Sequence, residues 1–383
     1  MSHTSQQISG LNKKGKHILS VIAKRTYQIN LNGSCTLHED QESIIEDYVM
    51  NEEIDGLFEQ DIDVYPLKPM TDVVLKGKAR SIKEVENFSA SIEIGKLGMH
   101  YSIFADRKVY KAEGKEYLFQ YENKISEIPL SYTHAYGGKD LDAEKSLRDI
   151  IEAEESFKYT SEVLDILAGS PYRYPRNPLG KGYIVEPTES TLASLELPNI
   201  ENPYQLLSPE NFICKNVLEW YKMPVPVCTD WLHPGWFPRV AYFGSYTIPE
   251  GMDENISEIK NKWASESLLN SNPDPNVSVL DFRACNGASL GLQSNHLTGG
   301  QQCRLVNIHP QKQEFVFTIP KEIPIIKIDG RNGKLINTDP VLQTILIEPE
   351  LNRLTLVWRG SGKALRPYAP SELANMPYEV SWR

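Results

Sequence analysis

The sequence predicts a mainly β protein, built of antiparallel sheets in a sandwich- or barrel-like arrangement and carrying helical insertions. Three observations lead there. Apolar and polar residues alternate with a period of two in several separate stretches, the mark of strands with one buried face. A glycine-containing turn joins two of those stretches as a hairpin. Prolines, 25 in all, argue against long central strands in the middle third.

From Val21 onward, Val21, Ala23, Tyr27 and Ile29 are apolar, while Lys24, Thr26, Gln28 and Asn30 are polar. Val73, Leu75, Gly77 and Ala79 alternate with Asp72, Lys76, Lys78 and Arg80. Phe88, Ala90, Ile92 and Ile94 lead through Gly95-Lys96-Leu97-Gly98 into Met99, Tyr101 and Ile103, a β-hairpin pattern. Phe315, Phe317 and Ile319, then Leu354, Leu356 and Trp358, repeat the alternation. The core is therefore expected to be antiparallel β.

One stretch differs. Leu147, Ile150, Ile151, Val163, Leu164 and Leu167 recur at helical spacing between Leu141 and Leu167, with Glu144, Asp149, Glu152, Glu154 and Glu155 among them. This predicts an amphipathic helical insertion over about 139–170, acidic outside and ended by Gly169-Ser170-Pro171. A weaker helix is expected over Ile256 to Leu269. The proline-rich stretches 171–178, 198–203 and 223–238 read as ordered irregular loops.

At 383 residues, with 40% hydrophobic and 24% charged residues, the chain can bury a large core. A net charge of −11 argues against nucleic acid as a partner, because phosphate neutralisation needs a basic face. The five cysteines are scattered, with no Cys-x-x-Cys pair and no Cys/His cluster at zinc spacing, so reduced thiols in the cytoplasm are expected. Lys13, Lys14 and Lys16 precede only a short apolar run, too short for a signal-peptide core. No membrane partner and no cofactor are expected.

The candidate chemistry is sparse. Asp61 and Asp63, two apart on an extended segment, point the same way and suit a shared divalent ion, but nothing nearby adds further oxygen ligands. Asp72 reads as a hydrogen-bond acceptor at a strand entry. Asp106 and His134 are the remaining ionisable candidates, His134 as a general base if a carboxylate orients it. Arg107 reads as a tie between loops through its five-donor fork. Gly180-Lys181-Gly182 lacks phosphate-loop spacing and reads as a tight turn. A hydrolase or metal-dependent enzyme using Asp61, Asp63, Asp106 and His134 is one alternative. The dense aromatics Trp220, Tyr221, Trp231, Trp236, Phe237, Tyr242, Phe243 and Tyr246 read mostly as core, with Trp231 and Trp236 as candidate partner contacts.

Six strings stand in a telling order. They are Asp61-Ile-Asp-Val-Tyr-Pro-Leu-Lys-Pro-Met-Thr-Asp72, Ala105-Asp106-Arg107, Pro129-Leu-Ser-Tyr-Thr-His-Ala-Tyr-Gly-Gly138, Arg176-Asn-Pro-Leu-Gly-Lys-Gly-Tyr183, Leu197-Pro-Asn-Ile-Glu201 and Trp236-Phe-Pro-Arg239 followed by Phe243-Gly-Ser-Tyr246. Together they resemble the DUF2169 family, bacterial proteins linked to type VI secretion. The chain departs from the family pattern at Thr247-Ile248-Pro249 and at Asp281-Phe-Arg-Ala-Cys-Asn-Gly287. The resemblance implies a DUF2169-like β-rich domain over 18–360, between an N-terminal tail (1–17) and a C-terminal extension (361–383). It implies no catalytic centre, and an adaptor or chaperone that binds a toxin effector and loads it onto the secretion spike or its tip protein. A structural subunit of the secretion machine is a further alternative. Glu152, Glu154 and Glu155 on the helical insertion are the other candidate partner contacts, as an acidic face that steers a basic client.

Overall fold

The computed structural model describes residues 4–113, 116–153, 170–185, 187–242, 281–295, 297–330 and 334–383. Strands account for 41% and helices for 15%, with several antiparallel sheets and no closed barrel among the described residues. The architecture is organised around the 13-residue strand His17–Ile29. It pairs antiparallel with Arg353–Lys363, which turns back into Val341–Glu348. Thr71–Leu75 adds parallel to Val341–Glu348, and Gln293–Ser294 closes that edge. On the other edge lies Ser5–Leu11, and Cys35–Leu37 pairs with the end of the long strand.

A second sheet runs in the order Ile200–Glu201, Leu97–Phe104, Asn87–Ile94, Gln302–Val306 and Glu314–Thr318, all antiparallel. The expected hairpin at Gly95 is its centre. Cross-strand register places Ile92 opposite Met99 and Leu305, and Ile94 opposite Cys303. Ile92, Tyr101, Ile103, Leu305, Phe315 and Phe317 share one core with Tyr27, Val73, Leu75, Ile345, Ile347, Leu354 and Leu356 of the long sheet. The two sheets thus face each other as a sandwich.

The long sheet is covered on its other side as well. Lys24 and Thr26, the polar positions of the alternation, are buried, as is Ser20 on the same face. The chain from Gln41 to Lys68, irregular apart from the short antiparallel pair Val49–Met50 and Phe58–Gln60, lies over them: Ile44 packs with Ile22, and Lys24 Nζ reaches Asp63 Oδ2 at 2.9 Å. A third sheet, Leu335–Asn337, Pro324–Asp329 and Tyr378–Trp382, packs Ile326 and Ile328 against Leu19, Val21 and Ala23.

Two boundaries differ from the sequence reading. The stretch read as an N-terminal tail contributes the edge strand Ser5–Leu11, whose backbone is satisfied by the long strand although only Ile8 and Leu11 are large apolar residues. The stretch read as a C-terminal extension finishes the third sheet, with Tyr368 buried in its core. The helical insertion is helix over Leu141–Ala153; its further part and the helix expected over 256–269 lie outside the described residues. Its only buried side chain is Ala143, and Leu141 and Ile150 are each 66% exposed.

Candidate functional site

The family strings meet inside the protein, in two polar networks and one cleft. In the first network, Arg239 is 1% exposed and every part of its guanidinium is used. Nε donates to the Ala284 carbonyl at 2.8 Å and Nη1 to the Leu232 carbonyl at 2.7 Å. Nη2 donates to Asp61 Oδ2 at 2.6 Å and to the Tyr65 hydroxyl at 2.8 Å. Tyr65 in turn donates to Asp61 Oδ1 at 2.9 Å. Burial pushes the Asp61 carboxyl up, with Arg239 and Lys68 pulling it back. Burial works against the Arg239 charge, yet Asp61 together with Tyr65, Tyr48 and Asp72 outweighs it and holds the guanidinium above its ordinary value.

Beside this pair, Lys68 Nζ lies 2.7 Å from Asp72 Oδ2 and sits over the rings of Tyr65 and Trp231. Asn286 Nδ2 donates to Asp72 Oδ1 at 2.8 Å and the Gly287 amide to Oδ2 at 2.9 Å. A Cβ at Gly287 would stand 2.1 Å from Asp61 Oδ2, so only glycine lets this loop approach. Residues 281–287, where the chain departs from the family pattern, therefore still close the network.

In the second network, Arg107 donates to the Pro198 carbonyl at 2.6 Å and pairs with the Glu201 carboxylate. Glu201 also accepts from the Leu207 amide at 2.6 Å. Arg107 thus ties loops together, as its fork suggests. Tyr136–Gly137 pairs parallel with Lys181–Gly182, joining two strings directly. Asn177 Nδ2 donates to the carbonyls of Tyr132 and Tyr136 at 2.8 and 3.1 Å. Gly137 and Gly138 have φ of +150° and +108°, and added Cβ atoms would meet Asn177 O at 2.0 Å and Gly180 O at 2.6 Å. The double glycine is a packing requirement of this junction.

The four carboxylate and histidine candidates separate. Asp61 binds Arg239 and Tyr65, whereas Asp63 binds Lys24 and the Ile45 amide at 2.9 Å. The two carboxylates, whose spacing alone would suit a shared ion, thus answer to different cations, because each is packed against a different element. Asp106 and His134 do come together, through Asn199. Its Nδ2 donates to Asp106 Oδ1 at 3.0 Å, and its Oδ1 lies 3.3 Å from His134 Nδ1. The Asn199 amide, with Asn123 beside it, holds the Asp106 carboxyl below the usual range. Burial pushes the His134 imidazole below its ordinary value. The group orienting His134 is an amide. Among the described residues no three His, Cys, Asp or Glu side chains are placed to hold a metal ion.

Trp231 and Trp236, read as candidate partner contacts, are 3% and 6% exposed. Trp236 packs edge-on against Tyr132 at 5.4 Å, and Trp231 lies against Lys68. Neither ring is available to a partner in this conformation; burying a large aromatic between the sheets and the loops outweighs displaying it. Glu152 is exposed on its helix, 3.9 Å from Arg148 Nη1. Glu154 and Glu155 lie outside the described residues.

What the structure adds is a cleft of about 610 Å³, lined largely by apolar side chains, among them Tyr132, Tyr221, Val225, Val227, Phe237 and Leu290. Arg176 opens into it. Its Nη1 donates to the Tyr174 hydroxyl at 3.1 Å and to the Tyr221 and Met223 carbonyls at 3.3 Å each, with the guanidinium 5.2 Å from the Trp220 ring. None of Asp61, Asp63, Asp106 and His134 lines this cleft. Sequence reading passed over Arg176 because its string signalled only a turn; an arginine amid prolines and aromatics was the available sign.

A mainly β scaffold whose signature residues close on one another in its interior is the class of protein these features define. The chain belongs to the DUF2169 family, described as an uncharacterized protein conserved in bacteria, whose model matches residues 14–359. No curated protein and no solved structure matches it. Among the described residues no helix is long and apolar enough to cross a membrane.

Proposed function

We propose that this chain is a cytoplasmic adaptor that binds a type VI secretion toxin effector and promotes its loading onto the secretion spike or its tip protein. The family resemblance supplies the secretion role. The observation that supports an adaptor is an open, mostly apolar cleft on a β frame whose family strings otherwise close on one another through internal ion pairs and backbone ties; Tyr132, Arg176, Phe237 and Pro238 of those strings help line it. Loops held on such a frame vary without unfolding it, which suits client recognition.

Deleting the gene in its host and measuring secretion tests the reading. An adaptor's loss stops export of its effector while the secretion tube protein still reaches the medium. Loss of both indicates a structural subunit of the machine instead, and unchanged effector export refutes the adaptor role.

A further inference from the structure

We propose that the Arg176 cleft is the client-docking groove, and that it takes an extended segment of a partner protein in which an Asp or Glu side chain lies beside aliphatic or aromatic residues. This deepens the adaptor reading and rests on it.

Charge complementarity selects the occupant. Among the described residues Arg176 is the one charged residue lining the cleft, in a chain whose net charge is −11. Buried Arg107 and Arg239 each hold a carboxylate. Arg176, by contrast, is bonded to a hydroxyl and two carbonyls and forms no ion pair among the described residues. Neutral acceptors orient the fork and leave its charge uncompensated, so a carboxylate arriving from a partner finds a pre-positioned guanidinium in an apolar surround. A single cation is too few for a nucleic-acid backbone, which is held by many.

The walls select the remainder of the segment. The cleft volume falls within the roughly 300–1,000 Å³ of ordinary ligand sites. Part of that apolar lining is open to solvent, since Leu290 is 51% exposed. The Val225 amide already donates to Gln205 Oε1 at 3.1 Å, and Pro226 has no amide hydrogen. That wall offers no ladder for strand addition, so recognition falls to side chains.

The test uses the full-length chain and fluorescein-labelled heptapeptides, acetylated and amidated, with a central Asp flanked by Leu, Phe, Pro and Trp, each paired with its Asn twin. Anisotropy should show Asp members binding at least tenfold more tightly than their twins. Arg176→Gln should erase that difference. Leu290→Glu and Leu290→Lys remove the same apolar contact and should weaken the Asn twins alike, while the Asp members should lose markedly more affinity with Glu than with Lys; this half-exposed pair decides the matter even if the arginine variant does not fold. Equal binding of the twins, or no binding, overturns the proposal. Variants that shift the melting temperature without altering binding also overturn it, showing a cleft closed by the chain itself. Should peptide binding fail while effector export still depends on the gene, the adaptor role stands and docking lies on another face.

Discussion

Replacing Asp61 with Ala removes the only carboxylate that, among the described residues, contacts a guanidinium that is 1% exposed. Two unit charges 4 Å apart at an effective dielectric constant near 20 interact by about 4 kcal/mol. Breaking a buried pair by deleting one partner costs about 3–5 kcal/mol, because the other charge is left without compensation. Tyr65, whose hydroxyl donates to Asp61 at 2.9 Å, loses its acceptor as well. We therefore expect Asp61→Ala to cost about 4 kcal/mol, a large fraction of the 5–15 kcal/mol typical of a folded protein. Arg239→Met should cost at least as much. It frees the carbonyls of Leu232 and Ala284 along with the carboxylate, at about 1–3 kcal/mol for each buried group left unsatisfied. The double variant should fall short of the summed costs by about 2 kcal/mol or more, since the second substitution removes a charge already stranded. Urea unfolding followed by both tryptophan fluorescence and far-ultraviolet circular dichroism measures all three. A loss below about 1 kcal/mol for Asp61→Ala, or strict additivity in the double variant, would refute the assignment of this network as the pin of the fold.

Two further outcomes follow from the geometry. Gly137→Ala should destabilise by at least about 2 kcal/mol, because the new Cβ would stand 2.0 Å from the Asn177 carbonyl oxygen at a positive φ; a melting temperature within a degree of the parent's contradicts the junction described above. Burial pushes the Asp230 carboxyl up to about 6, against about 3.9 in an unfolded chain. Between those values the folded state keeps a proton that the unfolded state has released. Stability from this group therefore falls as pH rises through that window and stays lower above it. Asp230→Asn should raise stability by about 1–2 kcal/mol at pH 7.5, with the gain shrinking toward pH 4.5. An equal gain at both pH values, measured by thermal melts, rejects the titration argument.

Much of the β framework was legible because a strand alternates its side chains whatever packs against it. Phe88 to Ile103 largely carried that alternation into the structure, whereas Leu354 to Trp358 is a strand as expected but is buried on both faces. The long strand at Val21 to Ile29 was legible as a strand but not as one buried on both faces. Lys24 reads as solvent-facing until residues 41–68 fold over it and set Asp63 against its ammonium group. Asp61 and Asp63 show the same limit. Their spacing places them on one side of an extended chain, yet Asp61 meets Arg239, 178 residues later, while Asp63 meets Lys24, 39 residues earlier. Residue type and local period determined where strands and turns form, the need for glycine at Gly137-Gly138, and the family. Tertiary structure alone decided which cation each carboxylate meets, that Trp231 and Trp236 are core, and that Arg176 opens into a cleft. Those outcomes depend on contacts between segments far apart in the chain, and no local periodicity encodes which distant partner will be brought against a side chain.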